Sequence, residues 1–333
     1  MNSLRKTIIV IFLMCVMVNF SVFALAASGK PIKLVGATMQ PPKHVYYRTL
    51  VKFSEFLKKR YKGPLEIDLH HSGDIGNEAD FAQFMVEGIS IDFCILAPAW
   101  MSVIDKGVGI MDAPFLFKDI QQWERGLTSG VFESVEKKLI EKGIRIVGYA
   151  GGGMRHLCLN KPVYKIDDLP KIRMRVMSSP IQAKTFNATG IMAVPIDYLE
   201  TYNAIKTGVV NGLENEASSY SANKFYEVAP NIMTTAHTIT VRPLCFSEKR
   251  FKGYDKKLQE SIREAAKEAS KWARQTEISE GSKIWEGLEK KGLVKIIDFK
   301  DTDKMREKAL PVIKNYAQEL GAVIVLDKIS RIQ

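Results

Sequence analysis

Apolar positions along the chain repeat with two different periods, which predicts both helices and strands. Segment 44–61 spaces Leu50, Phe53 and Leu57 as on one face of a helix, whereas 65–69 alternates as a strand does. Further strand patterns lie at 32–37, 91–96, 145–149, 156–159, 171–176, 209–213 and 232–241. Further helical patterns lie at 77–87, 120–127, 131–141, 180–190 and 198–207. Strands that alternate with helices are typical of an α/β fold.

Two features of this pattern indicate how the chain is divided. The length of 333 residues suggests two domains, and three consecutive glycines at 151–153 form the most flexible point between them. We expect the chain to cross between two lobes there, with 232–241 as a strand that crosses back. A very long helical pattern begins at Asp255 and runs towards Lys291, with an interruption expected at Gly281.

The N-terminus has the pattern of a secretory signal. Arg5 and Lys6 precede an apolar run at 8–18, and a small-x-small sequence ends at Ala26. The alternative is an uncleaved membrane anchor, because the apolar run nearly continues to Leu25. Polar residues and the small-residue end favour cleavage after Ala26, so we expect a soluble mature protein in the periplasm.

The charge of the chain does not indicate a nucleic-acid partner. The formal net charge is +11, and removal of Arg5 and Lys6 with the signal leaves 11 − 2 = +9. The lysines are scattered over predicted helix surfaces, where glutamates lie nearby, so we interpret them as solvated helix faces. A smaller role in steering anions towards a cleft stays open.

No motif of a common enzyme active site is present in the sequence. H-E-x-x-H, G-x-S-x-G and the phosphate-binding G-x-x-x-x-G-K-[ST] are absent, and residues 154–159 after the glycines look extended rather than helical. Cys94, Cys158 and Cys245 lie in apolar contexts without metal-ligand spacing, so we expect small buried side chains. We therefore expect no catalysis, no metal and no cofactor.

Two arginines occur in an apolar strand. By alternation Arg173 and Arg175 share one face of the segment 171–176. A guanidinium group matches a carboxylate with two parallel hydrogen bonds, which would suit an anion site. Spacing alone favours the other interpretation, in which both arginines form salt bridges on the surface.

Around these arginines the sequence resembles a known family. PKIRMRVMSSP (170–180) and ATGIMAVPIDYLETYNAIKTGVVNGLENE (188–216) are similar to motifs of the solute-binding subunit of TRAP (tripartite ATP-independent periplasmic) transporters, dicarboxylate-binding type. SGDIGNEADFAQFMVEGISIDFCI (72–95) and DAPFLFKD (112–119) add to the resemblance, which covers nearly all of the mature chain. Asn211 departs from the family's usual Asp, which leaves the identity of the ligand open.

The resemblance implies a fold and its division into lobes. We expect an α/β, two-lobed periplasmic binding protein fold, with strands that cross the hinge and a long helix packed across both lobes. Lobe I is expected to comprise 27–152 and 241–280, and lobe II 153–240 and 281–333.

The resemblance also implies a set of ligand-binding residues. Arg175 matches the family's arginine that holds the ligand carboxylate. The other expected contacts are Arg155, Asn215, Glu78, Tyr198, His237, Trp100 and Met39. An alternative stays open for three of them: Tyr198 as a core residue, His237 as a structural histidine and Glu78 as a surface residue.

These expectations define the predicted function. The protein captures a small organic acid and delivers it to the integral membrane subunits of a TRAP-type transporter. The alternatives are a binding protein of an ABC-type importer and a ligand-sensing partner of a signalling receptor. A secreted hydrolase is disfavoured because the sequence offers no recognisable nucleophile–base pair.

Overall fold

The computed structural model describes residues 30–332, so the expected signal peptide and its cleavage after Ala26 lie outside the described residues. The strands are β1 Ile32–Ala37, β2 Leu65–His70, β3 Phe93–Ile95, β4 Ile144–Leu159, β5 Arg173–Val176, β6 Met192–Pro195, β7 Gly212–Asn215, β8 Asn231–Ser247 and β9 Lys295–Ile297. The α-helices are α1 Val45–Arg60, α2 Glu78–Glu87, α3 Pro98–Met101, α4 Ile120–Thr128, α5 Glu133–Glu141, α6 Pro180–Ala188, α7 Thr201–Lys206, α8 Ala217–Ala222, α9 Glu248–Gly253, α10 Lys256–Lys290, α11 Thr302–Glu319 and α12 Val323–Ser330. Short 3₁₀ helices span Lys106–Asp112, Ile166–Lys171 and Phe225–Glu227.

The strands form two half-sheets that share a central pair. Their order is β2-β1-β3-β8-β4-β7-β5-β6, and β9 also pairs with β8. Strands β2 and β3 each pair in parallel with β1 in the first lobe, and β6 and β7 each pair in parallel with β5 in the second lobe. The antiparallel strands β4 and β8 run through both lobes. This is the two-lobed α/β architecture that the sequence predicts.

The glycines at 151–153 lie within a strand rather than between two strands. The sequence pattern predicts separate strands at 145–149 and 156–159, but the structure has one strand from Ile144 to Leu159. Its pairing with β8 shifts register between Gly151 and Met154. At Gly151 φ is +107°, and a Cβ atom would lie 2.2 Å from the Thr240 carbonyl oxygen. Only glycine fits this irregular crossing without displacement of the backbone.

Helix α10 is continuous over 35 residues, so the interruption expected at Gly281 is wrong. Gly281 lies in the helix with nothing within 4 Å of where a Cβ atom would stand. Leu258, Ile262 and Ala265 form the buried face of α10 and pack in a core with α1 and the crossing strands. The helix therefore packs along the crossing strands.

Some element boundaries differ from the prediction, whereas the burial of the cysteines is confirmed. The strand predicted at 209–213 is Gly212–Asn215, and the helix predicted at 198–207 begins at Thr201. The three cysteines within residues 30–332, Cys94, Cys158 and Cys245, are buried and form no disulfide with one another. None of the helices within residues 30–332 combines the length and the apolar composition that a membrane-spanning helix requires.

The 3₁₀ helix Lys106–Asp112 complicates the predicted division of the chain. It falls within the range assigned to lobe I, yet it packs against α6 and α11, which lie beside the second half-sheet. The Phe115 backbone N–H donates to the His237 carbonyl of β8 at 2.6 Å. The boundaries at 152/153 and 240/241 therefore stay a prediction.

Candidate ligand-binding site

A cavity lies where the two lobes meet the crossing strands. It contains about 520 Å³ of space between atoms, part of it continuous with solvent, and only about 30 Å³ can hold the centre of a water molecule. The side chains of the wall therefore leave little free space in the cavity. Its wall contains Met39, Gln40, Tyr46, Asn77, Glu78, Trp100, Arg155, Arg175, Met177, Asp197, Tyr198, Asn215, Glu216, Ser219 and Arg242. Seven of the eight residues predicted from the sequence are in this set, and His237 is not.

Arg175 reaches the cavity from the second lobe. It lies on β5 and is only 2% exposed, whereas Arg173 at the start of the same strand is exposed. Its Nε donates to the Ile196 carbonyl at 2.9 Å, and its guanidinium carbon lies 5.6 Å from the Tyr198 ring centroid. No carboxylate of residues 30–332 lies within 4.0 Å of its nitrogens. The two terminal nitrogens are therefore left for a carboxylate from outside the chain.

Burial dominates the electrostatics of Arg175. Loss of solvation lowers the pKa of Arg175 to about 10, and the charge of Glu214 opposes this shift only in part. The group is still a cation at neutral pH. A buried cation without a paired anion is unfavourable in the folded state, and a bound anion would relieve that cost.

Arg155 also lines the cavity, but its charge is already paired. Its Nε and Nη2 donate to the Glu214 carboxylate, and its Nη1 donates to Glu216. Nη2 also donates to the Glu214 carbonyl at 2.7 Å. Burial alone would lower the pKa of Arg155, yet the two carboxylates outweigh it and raise the pKa. Arg155 is thus a fixed part of a buried network rather than a free cation.

His237 contacts this network from behind the cavity wall. Its Nε2 lies 3.2 Å from Glu214 Oε2, and its Nδ1 lies 2.8 Å from Thr235 Oγ1. Burial lowers the pKa of His237 although Glu214 opposes the shift, so the ring is neutral. An ionised carboxylate can only accept, so Nε2 carries the proton and donates to Glu214. His237 therefore positions Glu214, and through it Arg155, from outside the cavity wall.

The first lobe contributes Glu78, Trp100 and Met39. Glu78 is the first residue of α2, whose start is fixed by a reciprocal capping box between Asn77 and Asp80. Burial raises the pKa of Glu78, and the charges of Arg242 and Arg175 oppose that shift. Met39 is buried, and half-buried Trp100 packs against Ala97, Ala99 and Met177. These residues form the wall opposite Arg175.

Asn215 and Tyr198 complete the second-lobe wall. The side-chain oxygen of Asn215 accepts from the Glu216 backbone N–H at 3.0 Å, which fixes the orientation of the amide. Its buried Nδ2 has no hydrogen-bond partner among residues 30–332. The Tyr198 hydroxyl accepts from Asn223 Nδ2 at 2.9 Å, and burial raises the pKa of Tyr198 to about 12. The wall thus presents an unused donor beside Arg175, as an oxygen-rich ligand requires.

Several residues of the wall are not among those predicted from the sequence. Arg242 carried a usable signal, because it lies in the apolar strand β8 just as Arg175 lies in β5. Its neighbours in the wall, Gln40 and Ser219, had no distinguishing pattern in the sequence. Within residues 30–332, no cluster of three or more His, Cys, Asp or Glu side chains is arranged to hold a metal ion.

Two lobes joined by crossing strands, with a buried arginine that has no carboxylate partner among residues 30–332 in the cavity between them, are the arrangement expected of a solute-binding protein. The family model for DctP, bacterial extracellular solute-binding protein, family 7, matches residues 36–319. The chain belongs to this family.

Individual members of the family are similar over almost their whole length. A solute-binding protein of Sulfitobacter sp. (strain NAS-14.1) is 42% identical over 311 residues, which cover 93% of this chain and 94% of the relative. A crystal structure of a TRAP periplasmic solute-binding protein from Sulfitobacter sp. NAS-14.1, with bound α-D-taluronate, is 41% identical, with a TM-score of 0.88 over 90% of this chain and 97% of that chain. A TRAP periplasmic solute-binding protein from Chromohalobacter salexigens, with bound D-glucuronate, is 26% identical, with a TM-score of 0.85 over 90% of this chain and 100% of that chain. The predicted fold and the predicted TRAP solute-binding class are both confirmed.

Proposed function

We propose that this protein captures a sugar acid in the periplasm and delivers it to the integral membrane subunits of a TRAP-type transporter. The observation that carries the proposal is the buried Arg175, which has no carboxylate partner among residues 30–332 and faces the cavity. The related structures hold α-D-taluronate and D-glucuronate, which are both sugar acids. A carboxylate with several hydroxyl groups also suits a wall in which amide, phenol and carboxyl groups surround one guanidinium.

The proposed mechanism is binding followed by lobe closure, without chemistry on the ligand. The ligand carboxylate accepts two hydrogen bonds from the terminal nitrogens of Arg175 on the second lobe. Asn215 Nδ2 donates to a further ligand oxygen, and Glu78, Trp100 and Met39 contact the ligand from the first lobe. Contacts to both lobes favour the closed form by the difference in affinity between the two states. Arg155 and His237 act by holding the second-lobe wall in place.

The same proposal includes export and the division into lobes. The signal peptide is removed after Ala26, and the chain folds into lobe I (27–152 and 241–280) and lobe II (153–240 and 281–333). Mass spectrometry of the protein recovered from the periplasm should give a mature chain that begins at Ala27. A chain that retains residues 1–26 in the membrane fraction would contradict this part of the proposal.

Calorimetric titration with D-glucuronate and related sugar acids tests the proposed ligand class. Arg175→Lys keeps the charge but loses the planar fork of the guanidinium, so binding should weaken strongly. Removal of one partner from a buried charged hydrogen bond costs about 2–5 kcal/mol, which corresponds to roughly 30-fold to several thousand-fold in affinity. Arg173→Lys on the same strand is the matched control, because Arg173 is exposed. Nearly wild-type binding by Arg175→Lys would overturn the assignment.

A further inference from the structure

Arg242 is a second buried arginine without a salt-bridge partner among the described residues. It lies on β8, is only 8% exposed and forms part of the cavity wall. Its guanidinium carbon lies 5.9 Å from the Tyr46 ring centroid, and its Nη2 lies 3.9 Å from Met177 Sδ. No carboxylate of residues 30–332 lies within 4.0 Å of its nitrogens. Most of the guanidinium N–H groups therefore have no acceptor within the part of the chain that the structure describes.

Glu78 is an acceptor in the same cavity wall. It is half-buried at the first position of α2, and neither Arg242 nor Arg175 forms a salt bridge with it. The charge of Arg242 nevertheless acts on the pKa of Glu78 more strongly than that of Arg175 does. A donor and an acceptor thus face one space, close enough to interact electrostatically but without a direct hydrogen bond between them.

A hydroxyl group is the partner that satisfies both side chains at once. It accepts from a guanidinium N–H through its oxygen and donates its proton to a carboxylate. A carboxylate at the same place could accept from Arg242, but it would meet the negative charge of Glu78. Like charges brought together in a site of low dielectric constant disfavour binding.

We infer that Arg242 and Glu78 together hold the hydroxylated end of the ligand and select a sugar acid with one carboxylate against one with two. This inference rests on the proposed function, in which Arg175 holds the single carboxylate at the other end. Arg242 is then a ligand-binding residue. Glu78 determines specificity because it attracts a hydroxyl group and repels a second carboxylate.

The test compares ligands that differ only at the end remote from the first carboxylate. D-Gluconate and D-glucarate are open-chain acids, and D-gluconate ends in a hydroxymethyl group where D-glucarate has a second carboxylate. D-Glucuronate is included because it is bound in the structure of a relative. Calorimetric titration of the wild-type protein should give at least 10-fold tighter binding of D-gluconate or D-glucuronate than of D-glucarate. Glu78→Gln removes the negative charge with little change in shape, so this preference should fall at least 10-fold.

The variants at Arg242 test the donor half of the pair. Arg242→Gln should weaken binding of the monocarboxylate at least 30-fold, and Arg242→Lys should weaken it less because the charge remains. Arg173→Gln is the surface control and should bind as the wild-type protein does. Circular dichroism and thermal unfolding of each variant without ligand show whether it is folded, and Arg242→Lys keeps the inference open to test if Arg242→Gln does not fold.

The possible outcomes separate this inference from the proposed function. If the wild-type protein prefers D-glucarate, or if Glu78→Gln leaves the preference unchanged, the inference is overturned while the proposed function stands. Wild-type affinity in folded Arg242→Gln or Arg242→Lys would overturn it as well. If the wild-type protein binds no sugar acid, or if Arg175→Lys binds like the wild-type protein, the proposed function and the inference fail together.

Discussion

His44 Nε2 lies 3.0 Å from Ser219 Oγ, a contact that joins the first lobe to the second beside the cavity. His44 is the N-cap of α1, and its Nδ1 accepts from the Tyr46 backbone N–H at 3.0 Å. Burial lowers the pKa of His44 to about 3, so the ring is neutral and its one proton is on Nε2. His44 therefore donates to Ser219.

The same contact leads into the network behind the ligand site. Because the Ser219 oxygen accepts from His44, its hydroxyl proton is free to donate to Glu216 Oε1 at 2.5 Å. Glu216 in turn accepts from Arg155. A directed chain of hydrogen bonds thus runs from the cap of α1 in the first lobe to the paired arginine of the second.

Ser219→Ala should weaken sugar-acid binding by about 2-fold to 10-fold. The reason is that the bond between His44 and Ser219 can form only when the lobes are in contact. Loss of one such bond raises the free energy of the closed state by roughly 0.5–1.5 kcal/mol relative to the open state. Calorimetric titration measures the change. Ser221→Ala on the same helix α8 is the control, because the Ser221 side chain forms no hydrogen bond within residues 30–332. Equal affinity of the two variants would mean that this contact does not contribute to closure.

Arg175→Gln should stabilise the ligand-free protein while it abolishes tight binding. Burial lowers the pKa of Arg175 to about 10, which shows that the charged form is disfavoured in the folded state. Removal of the charge should raise the free energy of unfolding by about 1–3 kcal/mol. At this chain length the thermal midpoint should rise by roughly 2–6 °C. Arg173→Gln, at an exposed position, should leave the midpoint unchanged. A lower midpoint for Arg175→Gln would identify Arg175 as a structural cation instead.

Alternation and helical spacing were sufficient to predict most of the elements but not how they join. The strand β1 and the caps of α1 fall where the apolar pattern places them, because a local period determines which face is buried. The fusion of 145–149 and 156–159 into one strand was missed, because three glycines interrupt any apolar pattern. The glycines stay within one strand because β4 pairs with β8, which lies about ninety residues further along the chain. Ala150, for example, pairs with Arg242.

Site residues that belong to a family motif could be predicted from the sequence. Site residues that reach the cavity only through the fold could not. Arg175 was found through the resemblance, whereas spacing alone could not distinguish it from exposed Arg173. Arg175 contacts the Ile196 carbonyl and the Tyr198 ring, which belong to a later segment of the chain, so a local pattern does not reveal its buried environment. Arg242 was not predicted because it belongs to no family motif, although it lies in an apolar strand as Arg175 does. The direct contact of His237 with a ligand stays a prediction, and in the structure His237 contacts Glu214 behind the cavity wall.

Glu277 should make stability depend on pH between about pH 4.5 and pH 8. It lies on α10 beside the hinge, accepts from Ser218 Oγ and has its other oxygen buried without a partner among residues 30–332. Burial, with Glu216 adding to it, raises the pKa of Glu277 to about 8. The unfolded chain therefore loses this proton at a lower pH than the folded protein. The stabilising contribution is complete below pH 4.5 and is lost as pH rises to about 8.

The comparison with Glu277→Gln isolates this effect from other titrating groups. Denaturant unfolding of both proteins at pH 5 and pH 8 should show that the wild-type protein loses about 2–4 kcal/mol more stability than the variant over this interval. The same loss in both proteins would mean that Glu277 is ionised in the folded state across the whole range.

Ligand should bring the lobes together, and the irregular crossing at Gly151 should be needed for that movement. Small-angle scattering of the wild-type protein should give a smaller radius of gyration with saturating D-glucuronate than without it.

In Gly151→Ala the new Cβ atom would lie 2.2 Å from the Thr240 carbonyl oxygen, at a φ of +107°. The crossing must then shift, so compaction and affinity should both decrease. Gly281→Ala on α10 is the control, because nothing lies within 4 Å of its Cβ position and alanine favours a helix. An unchanged radius in a wild-type protein with proven binding would show that the site is closed before the ligand arrives.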